Sequence, residues 1–244
     1  MEAGNRCFDL NVPEETNRKI IDHIADFNLV YTEHARRHLI AEGLPQRRIY
    51  LTGSPMKEVL DHYMPVINAS KALETCGLKA NNYFLVSAHR EENVDNQNLL
   101  KIMTVLNRLA NEYKLPVIVS THPRTRKRLE ALKEVTADPL IRLLKPFGFP
   151  DYVYLQMHAL CTVSDSGTIS EESAILGFPA ISLRQSMERP EAQDCGTIIL
   201  TGFDPETVMD SVRISIHEKN NRPSMSIPAE YSISDTSWRV LKLI

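Results

Sequence analysis

Four segments carry side chains whose types and order suit chemistry on an anionic substrate. In "VSDSGTISEESAILGFP" an apolar strand ends at Ser164, a turn of small residues follows, and a helix begins. Free N–H groups at such a helix start attract phosphate, and Gly167 beside Ser166 lets the backbone approach it closely. Glu172 lies one to two turns in, on a face that can reach a ribose diol. An ordinary capped helix bearing a surface Glu has the same local sequence. In "VSAHREENVD", His89 and Arg90 also follow a strand. A His there can move a proton near neutral pH, and Arg90 can fork onto phosphate. The bland alternative is a capping His beside a solvated Arg. In "THPRTRKR", His122 and Arg124 open a basic helix, which is either phosphate-facing or merely solvated. Glu2 and Glu14 supply carboxylates. Glu14 stands at a helix start behind Pro13, where the helix dipole alone favours an acid. Two carboxylates and a His gathered from separate segments would suit acid–base work.

The elements that must position these groups follow from the apolar pattern. "YFLVSA", "PVIVS", "IRLL", "LCTVSD", "PAISL" and "TIILTG" are short apolar runs, and amphipathic helices separate most of them. Such a series predicts an α/β fold, a doubly wound parallel sheet covered on both faces. Before it come a helix over about 14–26, the strand "NLVYT", a helix capped by Thr32, the strand "RIYLTGSP" and a helix "MKEVLDHY". That opening part has too few strands to close a sheet of its own. "LTGSP" punctuates the chain between the two parts. The final "DTSWRVLKLI" reads as a further helix.

Bulk properties remove several function classes. The 244 residues are 43% hydrophobic, enough for a substantial core, and carry a formal net charge of −3. Nothing in that balance favours nucleic acid or an anionic membrane as partner. No apolar run reaches the length of a membrane span. Cys7, Cys76, Cys161 and Cys195 are scattered without a Cys-x-x-Cys, so reduced thiols in a cytoplasmic setting are the default expectation. Gly-x-Gly-x-x-Gly, Walker, His-Glu-x-x-His and Gly-x-Ser-x-Gly motifs are absent. His34 and His38 share a helix face at metal-ligand spacing, but Arg36 and Arg37 between them oppose a cation, and a solvated face is expected.

Taken together, "MEAGNR", "PEETNR", "GSPM", "HREEN", "THPRTR", "SDSGTISEESAILGFPAI" and "ERPEA" resemble the non-hydrolysing UDP-N-acetylglucosamine 2-epimerases across essentially the whole chain. "EAGNRCFD" and "HREENVD" are closest to a branch that forms UDP-N-acetyl-L-fucosamine for capsule or O-antigen. The resemblance implies the GT-B arrangement, two Rossmann-like domains facing across a cleft. Residues 1–52 would then be the end of the first domain, 53–225 the second, UDP-binding domain, and 226–244 a helix crossing back. It further implies that about a hundred residues, one domain's worth, precede Met1 in the full protein. Met1 would be an internal Met, the last helix would be cut short, and the present chain would be inactive alone.

The chemistry implied is removal of the C2 proton with expulsion of UDP from C1, then re-addition of UDP with the proton delivered to the opposite face. No redox cofactor or metal is implied. By motif position Glu2 and Glu14 match the acid–base carboxylates and His89 the catalytic His. Ser166 and Gly167 match the diphosphate-binding helix start, Glu172 the ribose-binding Glu, and Tyr152 a residue near the uracil. Arg90 and His122 match contacts to a second, regulatory UDP-sugar in some members. Members are often homodimers. A GT-B glycosyltransferase, a hydrolysing 2-epimerase and a non-catalytic nucleotide-sugar binder are the competing readings.

Overall fold

Among the described residues two parallel sheets organise the chain, one of two strands and one of six. They are seen in a computed structural model that describes residues 1–9, 13–88, 96–121, 123–131, 136–186, 189–221 and 226–244. The small sheet pairs β1 (Asn28–Val30) with β2 (Ile49–Leu51). Helix α1 (Pro13–Ile24) precedes it, and α2 (Glu33–Ala41) joins its strands. Thr32 begins α2 as expected, its hydroxyl accepting from the Ala35 amide at 3.3 Å. Val30, Ala35, Leu39 and Ile49 bury one another together with Ala3.

The opening segment lies flat on α2. Gly4 has φ +77°, and a Cβ there would run into the Ala35 carbonyl, so only glycine fits. The fully buried Arg6 guanidinium ties the segment down, 2.8 Å from Asp22 and forked onto Glu42 at 2.8 Å. Ile20, Ile21 and Ile24 of α1 nevertheless stand exposed, as does Phe27. The apolar stripe of this helix is therefore turned largely to solvent.

The punctuating segment "LTGSP" is not a loose tether. The Thr52 amide donates to the Val30 carbonyl, and the Thr236 hydroxyl donates to the Thr52 and Ser54 carbonyls. Gly53, at φ +88°, leaves no room for a side chain against Ile233. α3 (Met56–Asn68) then runs a full turn past the expected end at Tyr63, with Pro65 inside it. Pro65 removes one backbone hydrogen bond. Burial of Leu60 and Ile67 on both sides of it, packed with Val153, outweighs that loss.

The large sheet has the order β5-β4-β3-β6-β7-β8, all parallel. Its strands are β3 (Phe84–Ser87), β4 (Val117–Ser120), β5 (Ile141–Leu144), β6 (Cys161–Ser164), β7 (Ala180–Ser182) and β8 (Ile199–Leu200). Alternate residues face opposite layers. Phe84, Val86, Val117, Val119 and Val163 pack on Leu106 and Leu109 of α5 (Asn96–Tyr113) and Val208 and Val212 of α10 (Pro205–Asn221). Leu85 and Ile118 pack the other way, on Leu155 and Ala159 at the end of α7 (Phe149–His158) and on Ala72 of the short α4 (Ala72–Cys76). α6 (Pro123–Ala131), α8 (Ile169–Leu176), α9 (Glu191–Asp194) and α11 (Thr236–Leu243) are the remaining α-helices among the described residues, beside short 3₁₀ turns at Gln46–Arg48 and Ala229–Ser232. Among the described residues no helix is long and apolar enough to cross a membrane.

Candidate functional site

The strand order reverses between β3 and β6: the chain leaves β3 toward β4 on one side and leaves β6 toward β7 on the other. In open α/β sheets the carboxyl ends of two such strands flank the ligand crevice. Here those ends are Ser87 and Ser164, opposite each other in register.

The turn after β6 is knitted by its own small side chains. The Ser166 amide donates to Ser164 Oγ at 3.1 Å, and the Asp165 amide to the Ser87 carbonyl at 3.1 Å. Ser166 and Thr168 share a hydroxyl hydrogen bond of 3.0 Å. Helix α8 then starts at Ile169, and no side chain caps its amide end. An uncapped helix start at a switch-point crevice is where an anion is best accommodated. Glu172 is buried in the first turn, taking a 2.8 Å bond from the Thr168 hydroxyl and a 2.7 Å bond from Gln156 Nε2.

Tyr152 sits on α7 one turn before Gln156. Its hydroxyl lies beside those of Ser87 and Ser164 without a hydrogen bond of good geometry, and burial pushes its phenol pKa up.

A second cluster adjoins the turn. Arg189 donates through Nη1 to the Gly167 carbonyl at 3.0 Å, and the same nitrogen ion-pairs with Glu171. Its Nη2 reaches Glu2 Oε1 at 3.3 Å. Glu2 also takes bonds from Asn5 Nδ2 at 3.3 Å and Arg18 Nη2 at 3.5 Å. Its backbone sits at φ +63°, a conformation disfavoured for a residue with a Cβ. Glu171 is buried and bonded to the Ser54 hydroxyl. Burial pushes its carboxyl pKa up, against the pull of Arg189 and Ser54. Sequence reasoning passes over Glu171, Arg189 and Ser54. The "ERPEA" string holds Arg189, but its reach to Glu2 is a three-dimensional fact.

Of the residues expected at the site, the fold brings Ser166, Gly167 and Glu172 together beyond the end of β6, sets the Tyr152 hydroxyl beside Ser87 and Ser164, and links Glu2 to the Gly167 turn through Arg189. Glu14 stands exposed in the first turn of α1. Its neighbour Glu15 is the buried one: burial opposes its ionisation, but the Cys7 amide at 2.9 Å and Lys19 at 3.2 Å outweigh that and hold its carboxyl pKa low. His89, Arg90 and His122 lie outside the described residues, and Arg124 is described only as a first-turn backbone position of α6. The His34/His38 helix face is not simply solvated. His34 pairs with Asp194 at 3.0 Å, and His38 meets the Gly4 carbonyl at 3.0 Å.

The family profile described as UDP-N-acetylglucosamine 2-epimerase matches residues 1–244, the entire chain. The chain belongs to the UDP-N-acetylglucosamine 2-epimerase family. A UDP-N-acetylglucosamine 2-epimerase of Methanococcus maripaludis is 34% identical over 231 residues, 91% of this chain and 62% of that protein. The chain therefore spans about 62% of the length of that epimerase. A solved UDP-N-acetylglucosamine 2-epimerase of Rickettsia bellii is 48% identical and superposes with a TM-score of 0.92, over 100% of this chain and 65% of that one. A Methanocaldococcus jannaschii UDP-GlcNAc 2-epimerase, solved in complex with UDP-GlcNAc and UDP, is 30% identical with a TM-score of 0.88, over 100% of this chain and 67% of that one. The parallel-sheet α/β fold is that of these GT-B-type epimerase structures.

Proposed function

We propose that this member of the epimerase family binds a UDP-2-acetamido-hexose at the β3–β6 crevice and inverts its C2 without net hydrolysis. The observation that carries the reading is the Arg189 bridge. It links the Gly167 carbonyl, at the anion-accepting turn, to the Glu2 carboxylate. A diphosphate on the amide end of α8 would hold its sugar within reach of Glu2. The complex of the Methanocaldococcus jannaschii relative with UDP-GlcNAc and UDP supports the same ligand class.

In the proposed reaction a carboxylate removes the C2 proton while the C1–O bond to UDP breaks, leaving a 2-acetamidoglycal beside UDP. UDP then re-adds at C1 and a proton returns to C2 from the other face, so atoms and charge balance. The C2 proton is weakly acidic, so leaving-group stabilisation must share the work with the base. The α8 dipole supplies part of that stabilisation. Glu2, Glu14 and His89 are proposed to carry the proton transfers. Ser166, Gly167, Glu172, Tyr152 and Arg90 are proposed to hold UDP, and His122 and Arg124 a phosphate of a second, regulatory UDP-sugar. Residues 1–52 and 53–225 are proposed as parts of two Rossmann-like domains, and a homodimer as the assembly. The substrate pair is UDP-GlcNAc and UDP-ManNAc, or the pair ending in UDP-N-acetyl-L-fucosamine for a surface polysaccharide.

Incubation of a version extended at its N-terminus with the corresponding residues of a relative, with the UDP-sugar in deuterated water, tests this. Deuterium at C2 without an acceptor, with no accumulation of free UDP, is expected. Unlabelled sugar points to a transferase, and stoichiometric free UDP to a hydrolysing enzyme. We expect the 244-residue chain alone to be inactive, in contrast to that extended version. Equal turnover would contradict that.

A further inference from the structure

The Glu172 carboxylate is held from two sides, by the Gln156 amide and the Thr168 hydroxyl. Gln156 is 1% exposed and Glu172 7%. The Gln156 amide donates at 2.7 Å to Glu172 Oε2, and the Thr168 hydroxyl donates at 2.8 Å to Oε1. An ionised carboxylate offers about four acceptor positions, two on each oxygen. One on each oxygen is occupied, and one on each is left open. The plane of the group is thereby fixed, and the two open positions are what a pair of adjacent hydroxyls can fill.

Gln156 shows a second sign of constraint. Its Oε1 is buried without a hydrogen-bond partner. Turning the amide over would set that oxygen against the carboxylate, so the assignment is fixed by the contact with Glu172. An apolar side chain at this place on α7 would leave no buried acceptor unpaired. The fold tolerates an orphan oxygen in order to present an N–H to Glu172.

We propose that Gln156 and Thr168 are positioning residues that lock the Glu172 carboxylate as a two-point acceptor for a vicinal diol, the ribose 2′- and 3′-hydroxyls of a nucleoside diphosphate. The inference rests on the reading that UDP occupies this crevice. It adds a basis for discriminating ribose from deoxyribose that resides in the supports of the carboxylate as well as in the carboxylate itself. A carboxylate free to rotate would still attract hydroxyls, but it would lose the paired geometry that makes one missing hydroxyl costly.

The test is calorimetric titration of the 244-residue chain with UDP and with 2′-deoxy-UDP. The wild type is expected to favour UDP by about tenfold, the scale of one hydrogen bond to a charged group. Gln156→Met is expected to bring the two affinities within about twofold, mainly by weakening UDP. Loss of both affinities in parallel, the pattern of a merely structural role, overturns the proposal, as does a retained preference for UDP. Should Gln156→Met fail to fold, Thr168→Val removes the opposite support and is judged by the same ratio. Failure of the wild type to bind either nucleotide overturns instead the reading on which the proposal rests.

Discussion

Arg189 and Glu2 lie 187 residues apart, yet Arg189 Nη2 meets Glu2 Oε1 at 3.3 Å. The same guanidinium holds the Gly167 carbonyl and pairs with the buried Glu171. One cation therefore fixes the distance between the turn proposed to take the diphosphate and the carboxylate proposed to work on the sugar. Glu171 in turn is bonded to Ser54, in the segment that joins the small sheet to the large one.

Arg189→Met is expected to cut epimerase turnover on the order of a hundredfold by letting Glu2 drift from the turn. Steady-state kinetics on the N-terminally extended version check this. A variant with unchanged kcat would show that the bridge does not position Glu2. Arg189→Lys keeps the charge but loses the fork, so it should recover only part of the activity.

Arg6 should be the costliest single position in the opening segment. Its side chain is fully buried between Asp22 and Glu42. Arg6→Met leaves two carboxylates without their cation, a loss of about 3–5 kcal/mol by the usual effect of breaking a buried pair. Urea denaturation compared with wild type gives the value. A loss under about 1 kcal/mol would mean that the ion pair is no more than a surface contact.

Acid should release part of the same network. The hydrogen bond from Arg6 pulls the Glu42 carboxyl down to about 2, against burial and with help from His23. A depressed carboxyl pKa contributes stability that is fully present above the unfolded value, 4.5, and lost as pH falls toward 2. Glu42→Gln is thus expected to be less stable than wild type at pH 7, with the gap closing as pH drops through that window. A gap independent of pH would contradict the assignment.

Gly4→Ala should disturb Glu2 without touching it. The added Cβ meets the Ala35 carbonyl, and the left-handed φ is strained for any L residue. The opening segment must lift from α2, carrying Glu2 away from Arg189. Faster amide exchange over residues 1–9 together with lower turnover is the expected pair of results. An unchanged exchange pattern would show that the segment accommodates the methyl in place.

Much of the large sheet can be read from the chain. Apolar runs such as Phe84–Ser87 and Val117–Ser120 are buried on both faces, and that is what their sequence says. The start of α8 is equally plain, since Ser166 and Gly167 mark the turn. α4 and α9, of five and four residues, are too short to show a period. α3 runs past Pro65 because tertiary burial of Ile67 overrides a local signal. Two carboxylates in a row defeat local reading in another way. Nothing in "PEETNR" says that Glu15 is buried and Glu14 exposed, because that depends on where the Cys7 amide and Lys19 lie in space. The Glu2–Arg189–Glu171 cluster is invisible for the same reason: each residue looks like a surface charge until the fold brings them together.

The turn at Ser166 and Gly167 is proposed to take the diphosphate while Glu172 takes the ribose. A crystal structure of the chain soaked with UDP tests it most directly. The diphosphate is expected on the amide end of α8 and the ribose hydroxyls on the Glu172 carboxylate. UDP bound elsewhere, with the α8 turn and Glu172 untouched, would contradict it.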